Sequence, residues 1–279
     1  MQGKVVVMTG ATSGIGEVAA ERLAEAGATI LFVARDRARA DATLQRLRAK
    51  SDAPHRFHLA DLSRLSEMKR VGAEIAAATP RIDVLVNNAG AMFSSRRVTA
   101  DGLEMTFALN HMSYFVLTAA LMDKLKASAP ARIVSTASAA HQGARLDFDD
   151  LQSEKDYSGL RAYGRSKLCN ILFTRELARR LQGAGVTANC LHPGFVATRF
   201  GADAGGALKW IFPVARLFAR KPEKGAETIV YLAASPEIAG ESGGYFFDRR
   251  NATPSAAAQD DAAARRLWAI SESLAGLGS

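Results

Sequence analysis

The sequence predicts an α/β fold: a single doubly wound parallel sheet with helices on both faces. Three observations lead there. Short Val/Ile/Leu-rich runs alternate with helical patterns from the first residues onward, as in βαβ units whose strands are buried on both sides. The first run passes directly into a glycine-rich turn, "MTGATSGIG", that opens a helix. Gly27, Gly183 and Gly185 stand where helices should stop.

In chain order, "KVVVMTG" reads as a buried strand and 14–26 as a helix. "TILFVAR" is a strand followed by a helix at 37–50, and "HRFHLAD" a strand followed by a helix at 63–79. "IDVLVNNAG" is a strand, 101–127 a long helix, "ARIVSTAS" a strand, 160–182 a helix and "VTANCLHPG" a strand. Residues 200–220 and the Ala-rich 253–264 break this rhythm. They read as a lid segment and as part of a carboxy-terminal tail, 250–279, ending in a helix near 262–275. No repeat, low-complexity tract or long linker divides the chain, so residues 1–279 are expected to form one domain.

Composition narrows the function classes. Of the 279 residues 48% are hydrophobic, enough to bury a sizeable core. Cys169 and Cys190 are the two cysteines and form no CxxC, which argues against a disulfide scaffold and for a reducing compartment. The apolar run at Val5 is too short for a signal h-region or a bilayer span, and no later stretch reaches transmembrane length without a charge. A cytoplasmic protein without membrane association is expected. The net charge is +8, but the basic residues are interleaved with acids and no aromatic stripe accompanies them, so nucleic-acid binding is not expected. No metal is expected either.

The glycine turn carries the first chemistry. Gly10, Gly14 and Gly16 let the backbone approach a pyrophosphate closely, and the helix amino terminus offers open N–H groups and a partial positive charge. The spacing is G-x-x-x-G-x-G rather than G-x-G-x-x-G. A tight strand–helix turn would use such glycines too, but the position at the first strand and first helix favours a dinucleotide held by Gly10, Thr12, Ser13, Gly14, Ile15 and Gly16. At the end of the second strand, where an acid would bind the adenosine ribose hydroxyls, the chain has Ala34-Arg35. Residues 35–50 hold six Arg or Lys against two Asp. Arg35, with Arg37 and Arg39 near it, can take a 2′-phosphate bidentately, so NADP(H) is favoured over NAD(H). Asp61, followed by Leu62, could accept the adenine amino group or could cap the helix at 63–79. Further on, Tyr163 and Lys167 in "AYGRSK" lie four apart and share one helix face.

TGxxxGxG at 9–16, NNAG at 87–90, Tyr163-x-x-x-Lys167 and His192-Pro193-Gly194 follow one another at strand ends. In these motifs the chain resembles the short-chain dehydrogenases/reductases, whose fold is of the Rossmann type, and the likeness covers nearly all of it. Within that family it is similar to the retinol-dehydrogenase-like branch, through "HQGARLDFDDLQSEKDYSGLRAYGRSKLCNILFTRELARRL", "LAASPEIAGESGGYFFD" and "ARRLWAISESL". The resemblance implies a catalytic Asn, Ser, Tyr and Lys: Asn110 in "ALNHMSYF", Ser138, Tyr163 and Lys167. In "STAS" Ser138 matches the family register and Ser135 falls three residues too early. Ala137 departs from the serine often found there. The likeness also implies that Asn88, Ala89 and Gly90 offer backbone to the adenosine side while Asn87 braces the sheet. It implies that Pro193, Gly194, Val196 and Thr198 belong to the loop that grips the nicotinamide carboxamide.

The chemistry suits these groups. A tyrosine with an ordinary pKa of about 10 is a poor base at neutral pH, and a nearby ammonium should lower that value. On this reading Tyr163 exchanges a proton with a carbonyl or alcohol oxygen, and Lys167 tunes it and holds the nicotinamide ribose. Ser138 stabilises the substrate oxygen, and Asn110 holds a water leading from Lys167 to solvent. His141 and His192 read as structural or loop histidines and Cys169 as a buried inert thiol. The lid, with Trp210, Ile211, Phe212, Val214, Leu217 and Phe218, suggests a lipophilic aldehyde, ketone or alcohol. Two other readings stand beside this one: a dinucleotide-sensing binding protein of the same fold, and a pigment-reductase-like enzyme acting on a carbon–carbon double bond. A homodimer or homotetramer through 101–127 and 160–182 is the expected assembly.

Overall fold

The computed structural model describes residues 1–195 and 220–278. Among them eight strands form one sheet in the order β3-β2-β1-β4-β5-β6-β7-β8. These are β1 (Val5–Thr9), β2 (Thr29–Ala34), β3 (Arg56–Leu59), β4 (Val84–Asn87), β5 (Ala131–Thr136), β6 (Val186–Leu191), β7 (Tyr245–Phe247) and β8 (Arg250–Asn251). Every pairing from β3 to β7 is parallel, and β8 turns back antiparallel on β7. The chain runs outward from β1 to β2 and β3, then crosses to β4 on the other side of β1. That reversal opens a crevice at the carboxyl ends of β1 and β4, the place where open α/β sheets bind ligands.

Two cores lie on the two faces. Val6 and Met8 of β1 join Val84, Val86 and Val134 on one face, while Val7, Leu85 and Ile133 alternate to the other. The first face is covered by α1 (Gly14–Glu25) and α7 (Pro222–Ala234), with Leu23, Ile229 and Leu232 buried between them. The second is covered by α3 (Leu65–Ala78) and α5 (Ser113–Ala127), and by α6 (Gly159–Arg180) with α8 (Asp261–Leu274) packed on it. Helix α2 (Arg37–Arg48) lies beside α1. Each fully buried Val, Leu, Ile or Met contributes about 1.5–3 kcal/mol relative to exposure.

Several boundaries differ from expectation for identifiable reasons. The helix expected at 101–127 begins at Met105. Gly102 has a positive φ of 78°, and the Glu104 carboxylate caps the start by accepting from Thr106 N and Phe107 N, each at 2.8 Å. This helix, α4 (Met105–Phe107), runs into a π-helical turn, Ala108–Met112, and then into α5. The run Met105–Ala127 is long and apolar enough to cross a membrane by length and composition, yet 72% of its most apolar window is buried in this fold. Helix α3 starts at Leu65, whose N–H is accepted by Asp101 Oδ2 at 2.8 Å. Helix α7 and strands β7 and β8 extend the fold beyond the elements expected from the sequence.

The middle of helix α6 is enclosed. Residues 166–174 are all buried, while both ends of the helix, at Leu160 and Arg161 and at Arg179 and Arg180, are exposed. Its outer face meets α8, where Trp268 stacks on Phe173 at 5.9 Å and meets Phe115 edge-on at 4.9 Å. The Arg180 guanidinium lies 4.4 Å from the centre of the Trp268 ring. The middle of α6 and Phe115 of α5 are thus packed against the chain's own carboxy-terminal helix.

Candidate active site

The glycine turn after β1 is held at close quarters. Gly10 has φ +70°, and a Cβ there would stand 2.8 Å from Asn88 Nδ2. A Cβ on Gly16 would stand 2.1 Å from the Gly10 carbonyl oxygen, so the first turn of α1 lies flush on the loop that precedes it. Ser13 occupies the N-cap with extended backbone and makes no side-chain cap hydrogen bond. The first N–H groups of α1, from Gly14, Ile15 and Gly16, thus face the crevice without a side-chain acceptor from Ser13. Thr12 is part-exposed beside them.

The loop after β4 is stitched to both neighbouring strands. Thr9 Oγ1 accepts from Asn88 N at 2.9 Å and from Ala89 N at 3.0 Å. Asn88 Nδ2 donates to Gly10 O at 3.2 Å, and the Thr136 hydroxyl donates to Asn88 Oδ1 at 3.1 Å. Asn87 is fully buried and donates to Thr118 Oγ1 at 3.0 Å. Bracing is therefore shared by Asn87 and Asn88. The amides of Asn88 and Ala89 are already committed, which leaves their carbonyls for a ligand. Gly90 borders the catalytic candidates, since a Cβ there would lie 3.1 Å from Asn110 Oδ1 and 3.5 Å from Lys167 Nζ.

Toward the adenosine end, Arg35 is exposed just past β2 and has no ion-pair partner among the described residues. Asp36, not an arginine, caps α2 by accepting from Arg39 N at 2.8 Å. Arg37 lies 5.5 Å from the Phe57 ring centre. Asp61 does not cap α3. Its Oδ1 accepts from Ser63 N at 3.1 Å and from the Ser63 hydroxyl at 2.8 Å, and its Oδ2 has no protein partner among the described residues. The side chain of Leu62 is buried in the core, so only its backbone can reach a ligand.

Four residues predicted to be catalytic meet beyond the ends of β4 and β5. Tyr163 and Lys167 lie one turn apart on α6, with Lys167 Nζ 5.6 Å from the centre of the Tyr163 ring. The Tyr163 hydroxyl is hydrogen-bonded with Ser138. The Ser138 oxygen also accepts from Ala140 N at 3.1 Å, so its own proton is available to point at the phenol. Ser135 sits inside the sheet, fully buried, and its Oγ finds no partner among the described residues. Asn110 stands in the π-helical turn, a distortion frequent at functional sites. Its Oδ1 accepts from Ala91 N at 2.8 Å, and its Nδ2 donates to Ala91 O and to Ser166 Oγ, each at 2.9 Å. Both amide donors are occupied, so the side chain ties the β4 loop to α6; holding a water does not rest on its N–H groups.

The electrostatics depart from expectation. Burial pushes the Tyr163 phenol up to about 12, although the Ser138 hydrogen bond acts to lower it. Burial likewise pushes the Lys167 ammonium down to about 7. In the chain by itself, desolvation outweighs the lowering of Tyr163 that a neighbouring ammonium was expected to give. The carbonyl oxygen of Thr136 fixes Lys167 in place, accepting from Nζ at 2.9 Å. Asn170 Nδ2 and the Tyr114 hydroxyl reach the same oxygen at 3.3 and 3.4 Å. Thr9 opens the TGxxxGxG motif, which by itself gives its hydroxyl no role, and Thr136 and Ser166 fall at no fixed position of the four motifs. Burial also raises the Cys169 thiol to about 12, leaving it unreactive.

After β6, Gly194 has φ +81° and its N–H donates to His192 Nδ1 at 3.2 Å. His192 stacks on Phe247 at 4.1 Å, and burial pushes its pKa down to about 4, so the ring is neutral. Pro193 lies between them, part-exposed. Val196, Thr198 and the predicted lid, from 200 up to 219, lie outside the described residues.

These groups suit a dinucleotide: a glycine cradle that no Cβ could enter, open N–H groups at α1, an Arg35 and an Asp61 oxygen without a protein partner among the described residues, and a Lys167 ammonium held by one carbonyl oxygen. The same conclusion comes from comparison with known proteins. The profile of the short chain dehydrogenase family matches residues 4–207. The chain is 42% identical over 283 residues to Retinol dehydrogenase 13 of Homo sapiens, covering 99% of this chain and 85% of that protein. It is also 42% identical over 294 residues to Retinol dehydrogenase 14 of Homo sapiens, covering 99% and 88%. It resembles the solved structure of a short chain dehydrogenase from Burkholderia cenocepacia in complex with NADP, at TM-score 0.72 and 27% identity over 88% of this chain and 96% of that one. The family match spans β1 through β6 and so takes in the cradle, Asn110, Ser138, Tyr163 and Lys167: the chain belongs to the short chain dehydrogenase family of oxidoreductases.

Proposed function

We propose that the protein is an NADP(H)-dependent oxidoreductase that interconverts a lipophilic aldehyde or ketone and its alcohol. The observation that carries this reading is the convergence of Ser138, Tyr163 and Lys167 beside the glycine cradle. When bound, the nicotinamide supplies or accepts the hydride. The chain supplies the proton. In the reducing direction Tyr163, protonated at neutral pH, gives its hydroxyl proton to the carbonyl oxygen. The Ser138 hydroxyl donates to the same oxygen as negative charge develops there. The Lys167 ammonium, held on Thr136 O, stabilises the phenolate left behind.

The preference for NADP(H) rests on Arg35, whose guanidinium can take a 2′-phosphate. The Burkholderia relative, crystallised with NADP, is in keeping with it. The lipophilic substrate class rests on the apolar residues of the 200–220 segment and on relatives named for retinol. A binding protein without turnover would have no need of the assembled Tyr163, Lys167 and Ser138. The inert Cys169 lends no support to a pigment-reductase-like reaction. The test is to follow NADPH consumption over a panel of apolar aldehydes and ketones. Saturable turnover of some of them supports the reading; dinucleotide binding with no turnover of any would replace it with the binding-protein reading.

A further inference from the structure

His141 stands directly behind the catalytic serine. It closes the short 3₁₀ turn Ala139–His141 and is fully buried. Its Nε2 lies 3.1 Å from the backbone nitrogen of Ser255. An amide N–H can only donate, so Nε2 is the acceptor and the ring proton sits on Nδ1. Nδ1 then donates to the carbonyl oxygen of Ser138 at 2.7 Å. That oxygen also receives the backbone N–H of His141, at 3.2 Å. The ring edge rests on Tyr245 of β7, with centroids 5.2 Å apart. The Ser138 peptide is thus clamped from behind while its hydroxyl, accepting from Ala140 N, is aimed at Tyr163. The far end of the clamp is the carboxy-terminal segment just before α8.

We infer that His141 is a positioning residue for the proposed reaction, locking the Ser138 peptide to the backbone at Ser255 so that the serine hydroxyl meets the Tyr163 phenol. The inference rests on the function proposed above. It assigns work to a histidine whose sequence context marks it as structural. His141 does not touch the reacting atoms and acts through Ser138 alone.

Two substitutions separate this role from packing. His141→Phe keeps the ring on Tyr245 and removes both hydrogen bonds. His141→Asn loses the ring but can return a side-chain N–H to the position of Nδ1. If the clamp matters, His141→Phe lowers kcat roughly tenfold to a hundredfold, the cost of a displacement of about 1 Å in a catalytic group, with KM and the NADPH Kd changed less than about twofold. His141→Asn then retains more kcat than His141→Phe. If His141 only fills space, the order reverses, and that result overturns the inference. So does wild-type turnover that His141→Phe leaves unchanged, and in that case the proposed function stands. Wild-type protein that reduces no carbonyl removes the function and the inference together. A readout free of activity and of any variant is nitrogen NMR of the wild-type ring: protonation at Nδ1 with a bare Nε2 is expected, and protonation at Nε2 refutes the clamp.

Discussion

Lys167 reaches past Tyr163 to the end of β5: its ammonium lies 5.6 Å from the centre of the phenol ring and 2.9 Å from the carbonyl oxygen of Thr136. The lysine is anchored by the sheet, not by the residue it serves. Its own burial is costly, and that cost sets part of the pH behaviour of the protein.

The cost is measurable as stability. Unfolded, Lys167 keeps its proton up to about 10.4; folded, it loses it above about 7. Between those values the unfolded chain binds more protons, so this group makes stability rise with pH, and below about 7 the full penalty of the buried charge is present. Lys167→Met should therefore raise Tm at pH 6, by on the order of 2–4 °C for each kcal/mol relieved. The gain should shrink toward pH 10. Thermal melts of both proteins across that range check the sign, and a gain that grows with pH would contradict it.

Tyr163, raised to about 12 by burial, is a ready proton donor and a reluctant base. Tyr163 stays protonated from pH 6 to 9, but Lys167 loses its ammonium above about 7. Carbonyl reduction should therefore hold up to about pH 7 and fall above it, whereas alcohol oxidation, which needs both phenolate and ammonium, should climb to about pH 7 and level off there. Initial rates in both directions, with the dinucleotide saturating, give the two profiles.

Ser138 and Ser135 should part company. Ser138→Ala removes the hydroxyl that meets Tyr163 and should lower kcat about 10²-fold, as loss of one oxyanion donor does. Ser135→Ala deletes a buried hydroxyl with no partner among the described residues, so turnover should hold within about twofold and stability should be unchanged or slightly higher. Equal effects of the two substitutions would reject the assignment.

Arg35→Asp should weaken NADPH about tenfold to a hundredfold, the worth of a charge-assisted hydrogen bond plus new repulsion, and leave NADH little changed. Titration of each dinucleotide by fluorescence is the measurement. An unmoved preference would place the 2′-phosphate elsewhere.

The strands and the four motifs were legible because each rests on side chains: alternating Val, Ile and Leu, glycines at close approaches, a tyrosine and a lysine one turn apart. What stayed hidden works through the backbone. Thr136 and Ser138 hold Lys167 and His141 with carbonyl oxygens, which every residue carries, so no letter in the sequence marks them. The late start at Met105 depends on Glu104 folding back onto two amides, and the π-helical turn around Asn110 breaks the α-helical period on which the sequence reading relies. Strand β7 is three residues long, too short to declare a period. The direction of the Tyr163 shift was misjudged because the sequence shows the neighbouring ammonium but not the depth of burial that outweighs it.

In the proposed reaction the Tyr163 hydroxyl supplies the proton of reduction. Single-turnover consumption of NADPH with an apolar aldehyde, compared between the wild-type chain and Tyr163→Phe, tests it most directly. The rate in the variant should be lower by about 10²–10⁴, with the dinucleotide still bound. A variant that turns over at a rate near that of the wild type would contradict it.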